Sequence, residues 1–143
     1  MPTKNRIFHE VKVTIANAAV RTLNATPVTI IPAPGVGKAV VDVRVQAKYV
    51  YATAAFDSVG SGDDLAFKYT DSSGAKVCGD IETVGWLDQS SSAWRATGPV
   101  VTSMTPVENA AIVAHILTGE VYGAAGGGSL VIRAQYRVVD LTE

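Results

Sequence analysis

Residues 39–51 read Ala-Val-Val-Asp-Val-Arg-Val-Gln-Ala-Lys-Tyr-Val-Tyr. Val41, Val43, Val45, Ala47, Tyr49 and Tyr51 fall on one side of a period-two pattern, and Asp42, Arg44, Gln46 and Lys48 on the other. A helix would scatter these residues around its axis. A strand gathers them, because successive side chains point to opposite faces. The segment therefore predicts a long, half-buried strand, and a chain built around it belongs to a sheet protein.

Other segments repeat the pattern. Val11, Val13 and Ile15 alternate with Glu10, Lys12 and Thr14. Leu65, Phe67 and Tyr69 alternate with Ala66, Lys68 and Thr70, and the turn residues Asp71-Ser72-Ser73-Gly74 follow. Residues 77–84 are then expected to return as a hairpin partner. Leu130, Ile132, Ala134, Tyr136 and Val138 alternate with Arg133, Gln135 and Arg137. Residues 20–24 and 28–31 add two shorter strand candidates. The chain holds 21 Val, 8 Ile and 13 Thr against 6 Leu, which suits pleated sheet better than helix. Its 13 Gly and 6 Pro punctuate it into short pieces.

Residues 32–37, 57–64 and 123–129 read as loops. Residues 105–117 allow two readings. Thr105-Pro106-Val107-Glu108 fits a capping box that starts a short helix. The apolar run Ile112, Val113, Ile116 and Leu117 equally fits a strand buried on both faces, which is preferred because its neighbours are strands. Residues 87–93 are the expected place for a short helix or turn.

The chain has 143 residues, enough for one domain with its own core. Net charge is −1, and 12 basic residues are scattered among 13 acidic ones, which argues against nucleic-acid binding. Charged residues make up only 17%, below the roughly 25% of ordinary soluble domains, so part of the surface is expected to be covered by other chains. No membrane span is expected, and the charged N-terminal residues do not form a secretory signal.

The candidates for chemistry are sparse. Pro34-Gly35-Val36-Gly37-Lys38-Ala39 has the look of a phosphate loop, but Pro32 and Ala39 hold positions that need Gly and Ser or Thr, and a strand follows instead of a helix. His9 and His115 are the imidazoles available as bases, and His115 lies in an apolar run. Cys78 reads as a small buried residue. Asp80 and Glu82 share a strand face at a spacing a glycosidase pair could use, and equally a solvated face. Asp57, Asp63 and Asp64 lack the pattern of a calcium loop. Trp86, Trp94 and Tyr122 are the residues that could stack against sugars, or else pack in a core. No catalytic residue, metal site or cofactor is expected.

Residues 23–41 (Leu-Asn-Ala-Thr-Pro-Val-Thr-Ile-Ile-Pro-Ala-Pro-Gly-Val-Gly-Lys-Ala-Val-Val) resemble the opening of small tailed-phage virion proteins. Gly62-Asp63-Asp64-Leu65, Pro106-Val107-Glu108-Asn109-Ala110-Ala111 and Gly127-Gly128-Ser129-Leu130 continue the likeness, which spans residues 20–139. The family is that of capsid decoration, or cement, proteins. The resemblance implies an all-β, antiparallel two-sheet sandwich, jelly-roll-like, of about eight strands, formed by residues 11–143. It implies a homotrimer bound across major capsid protein subunits on the outer surface of a virion, with no catalysis. Residues 1–10 lie outside it and read as an arm or a frayed terminus, in which Lys4, Arg6, Ile7 and Phe8 are the candidate capsid contacts. The alternative is a receptor- or glycan-binding module of a phage head or tail fibre that uses Trp86, Trp94 and Tyr122.

Overall fold

The computed structural model describes residues 7–99, 105–118 and 127–142. Seven strands and one short helix follow in the order β1 (His9–Ile15), α1 (Asn17–Arg21), β2 (Val28–Ile31), β3 (Lys38–Val50), β4 (Leu65–Tyr69), β5 (Ala93–Thr97), β6 (Ile112–Ile116) and β7 (Ser129–Asp140). They form two antiparallel sheets: a large one ordered β1-β7-β3-β5 and a small one ordered β2-β6-β4. The strands alternate between the sheets along the chain, so each connection crosses from one layer to the other. That wrapping is the jelly-roll-like β-sandwich.

The eighth strand position is half-formed. Residues 76–81 lie beside β4 and bridge it at Lys76 and Ile81 only. Ile81 and Leu65 exchange backbone bonds of 2.8 Å, and the Val77 amide donates to Phe67 at 2.9 Å. The expected return along β4 is thus present but irregular. The turn that makes it is tight: a Cβ on Gly74 would sit 1.7 Å from the Tyr69 carbonyl oxygen, so only glycine fits.

The core lies between the layers. Val45, Ala47, Tyr49, Leu130, Ile132 and Ala134 project from the large sheet, and Ile30, Leu65, Phe67, Ile112, Ala114 and Ile116 from the small one. The Tyr69 hydroxyl donates across the interior to the Val40 carbonyl. All five residues of β6 are buried, because residues 22–26 cover its outer side: the Asn24 side-chain amide donates to the Ile116 carbonyl at 2.7 Å.

Three expectations need correction. Residues 20–24 do not form a strand. Val20 and Leu23, three apart, are both buried, a helical spacing, and the Val20 amide bonds the Ala16 carbonyl at 2.9 Å. Residues 87–93 hold no helix; of the two readings the turn stands, shifted to residues 84–88, where the Trp86 and Leu87 amides both reach the Thr83 carbonyl, and β5 takes Ala93. Third, the alternation in β3 does not run unbroken from Val41. Val41 pairs with Arg137 and Arg44 with Gln135, so two residues oppose one. This is a β-bulge. Asp42 takes φ 52° there and is ion-paired with Arg137. Val40 is therefore inward before the bulge and Val43 and Val45 after it, while Val41 is only half-buried. In the ambiguous segment, strand β6 takes residues 112–116, and Asn109 adopts φ 49° in the loop before it.

Candidate interaction surface

The residues weighed for chemistry are dispersed and mostly tied down. His115 is buried, its Nε2 lies 3.1 Å from the Asn24 carbonyl, and its Nδ1 has no partner. Burial, with Lys68 nearby, holds its pKa below the usual value. Burial, and then Asp80, push the Cys78 thiol up to about 12, which leaves it a protonated apolar residue. Asp80 pairs with Lys76 at 2.7 Å. Glu82 is exposed, and its backbone carbonyl accepts from Arg95 at 2.6 Å. Asp63 is buried as a loop tie, accepting from the Gly60 amide at 2.8 Å and from the Thr118 hydroxyl. Burial, followed by Asp80 and Glu82, raises the pKa of Asp64. Among the described residues no group of three or more His, Cys, Asp or Glu could hold a metal ion. The Gly35–Lys38 turn is closed by Asn109, whose side chain accepts from the Gly35 amide at 3.0 Å and whose amide donates to Lys38 at 2.7 Å. It is a structural corner.

The aromatic platform does not assemble. Trp86 is fully buried, donates from Nε1 to the Ala93 carbonyl at 2.9 Å, and carries Arg95 against its ring. A residue so enclosed cannot stack on a sugar. Trp94 is 52% exposed and points out of β5. The sequence makes the pair look equivalent, but they sit on opposite sides of the large sheet's edge. Tyr122 lies outside the described residues, as do Lys4 and Arg6. Ile7 and Phe8 are exposed and lead into β1.

The structure brings together a surface that no motif announced: the outer face of the large sheet. The ladder registers place its outward side chains in three rows. Thr14, Val131, Lys48 and Trp94 form one row; Lys12, Arg133, Gln46 and Ala96 the next; Glu10, Gln135 and Arg44 the third. Successive rows are roughly 7 Å apart, two residues along a strand. Four cations, Lys12, Arg44, Lys48 and Arg133, occupy these rows, and Arg137 lies one row further on, ion-paired with Asp42. Lys48 lies 5.7 Å from the Trp94 ring centroid and Arg44 5.7 Å from that of Phe8. None of the four is ion-paired among the described residues. Glu10 accepts a 3.3 Å hydrogen bond from Gln135. The small residues Ala96 and Gly98 let the face dip into a trough of about 440 Å³, walled by Arg44, Gln46, Arg133 and Pro99.

The signal for this surface was in the sequence, in the polar halves of the alternating segments. It needed the register to show that Lys12, Arg133, Arg44 and Lys48 share one face. Searches against protein-family models, curated proteins and solved structures find no match for the chain.

Proposed function

We propose that this protein is a virion structural protein that decorates and reinforces a phage capsid by binding across major capsid subunits, and that it catalyses nothing. The observation that carries the reading is a broad, cation-bearing sheet face on a jelly-roll-like sandwich, joined to the sequence resemblance across residues 20–139. A broad face with an open trough suits docking onto another protein, whereas catalysis on a small substrate needs convergent reactive groups. The buried His115, the protonated Cys78 and the Lys76-bound Asp80 do not combine into a nucleophile, base and orienting group. Several copies on one shell would gain from multivalency, since each added contact is effectively intramolecular. Homotrimeric assembly on the outer surface belongs to the same proposal and comes from the resemblance.

Mass spectrometry and imaging of purified particles from the parent phage test this. Multiple copies on the outside of the head are expected; particles without the protein overturn it. The glycan-binding alternative keeps one favourable observation, the half-exposed Trp94 beside the trough, but it loses Trp86 to the core.

A further inference from the structure

Resting on the decoration reading, we infer that the outer face of the large sheet is the surface that meets the shell, and that its partner there is an acidic protein surface. The first argument is an energetic anomaly. Lys12 and Arg133 are directly opposite one another in the β1–β7 ladder. Like charges in that position destabilise a sheet. Arg44 stands diagonally from Arg133 across β3 and β7, which adds to the repulsion. A chain under pressure for stability alone would place an anion or a neutral residue here. Rules of local consistency are broken where a surface serves something else.

The second argument is segregation. Besides the Arg137–Asp42 ion pair, the face carries four cations and the carboxylate of Glu10, in a chain whose net charge is −1. Asp64, Asp80 and Glu82 gather instead beside β4, where burial, followed by Asp80 and Glu82, raises the pKa of Asp64. The partner that complements four cations with no ion pair among the described residues carries carboxylates.

The third argument is composition. Half-exposed Phe8 and Trp94 lie at opposite corners, with two arginines and two glutamines between them. Aromatic residues and arginine are the enriched members of protein–protein contacts. Glu10, seated within the array, would repel a continuous polyanion such as a nucleic acid or an acidic polysaccharide. A folded protein surface can set a donor against it. Phe8 extends the same face, so one of the N-terminal contact residues expected from the sequence adjoins it.

The experiment measures co-sedimentation of the full chain with parent-phage shells assembled without it. Wild type is compared with Arg44→Glu/Arg133→Glu and with Lys38→Glu/Lys68→Glu, which changes net charge equally but lies off the face. The expected result is saturable binding by wild type that weakens with salt. The face variant should bind at least about tenfold more weakly, since opposed like charges at an interface cost more than one decade of affinity. The control pair should stay within about twofold of wild type. Circular dichroism and light scattering of each variant separate loss of fold or of self-association from loss of docking. Equal shell binding by all three proteins overturns the inference and leaves the decoration reading standing. No shell binding by wild type overturns both. A face variant with a changed oligomeric mass assigns the face to contact between copies and overturns the inference. Polygalacturonate binding abolished by the same variant, with shell binding intact, assigns it to a glycan and does likewise.

Discussion

In the small sheet, β6 buries Ile112, Val113, Ala114, His115 and Ile116 without exception, while in the large sheet β7 buries Ile132 and Ala134 and gives Arg133 and Gln135 to water. The two strands answer different surroundings. One is covered on both sides, by the core and by residues 22–26; the other is covered on one side only. Burial on both sides erases the period of two, so such a strand carries packing and little else. A strand with one wet side keeps that period, and its polar half is free to be selected for recognition.

The sharpest way to break this contrast is to make one change on each side of it. Trp86→Ala should cost about 3–5 kcal/mol, as removal of a large core residue does. Trp94→Ala should stay within about 0.5 kcal/mol, as at an exposed site. Urea denaturation of the two variants checks both, and equal losses would erase the distinction between the two tryptophans. Gly74→Ala should cost about 3 kcal/mol, because a methyl group cannot share space with the Tyr69 carbonyl. The loss should appear first as hydrogen-exchange protection lost from β4, with β3 and β7 less affected.

The next prediction concerns pH. Burial holds the folded-state pKa of His115 below its ordinary 6.5, so the unfolded chain binds a proton that the folded chain refuses. Stability should therefore fall as pH drops below 6.5 and recover as it rises back. Urea midpoints on either side of that window should differ in wild type and converge in His115→Gln. The smallest effect has the opposite sign to most substitutions. Lys12→Glu places an anion across from Arg133 and should stabilise the fold by roughly 0.2–1 kcal/mol. A rise in melting temperature joined to weaker shell binding would sharpen the comparison; a fall would show that the opposed charges are not strained.

Much of the sandwich was legible in the sequence because one-sided strands announce themselves. Apart from Tyr51 and Thr70, each one residue past the end of its strand, the alternating residues of β1, β3, β4 and β7 fall in the observed strands. The two-sided strand β6 was harder, and only its neighbours decided against a helix. Strand β5 escaped notice because Ala93, Ala96 and Thr97 give a faint apolar signal over five residues. Residues 20–24, which overlap the end of helix α1, read as a strand because Val20 and Val28 look alike without a partner to compare. The surface was legible residue by residue and not as a surface. Lys12 and Arg133 are far apart in sequence, and only the ladder makes them neighbours. The exposure of Trp94 against the burial of Trp86 likewise depends on which way β5 lies on the sheet edge.

The extra residue at position 42 has a reach beyond its own turn. It puts the two ends of one long ribbon out of step, so that Val40 and Val45 both reach the interior although they differ in parity. Were Asp42 deleted, either the leading valines or everything from Arg44 to Lys48 would have to change sides. The grouping of cations seen on this molecule is thus a matter of phase, held by one aspartate and the arginine that grips it.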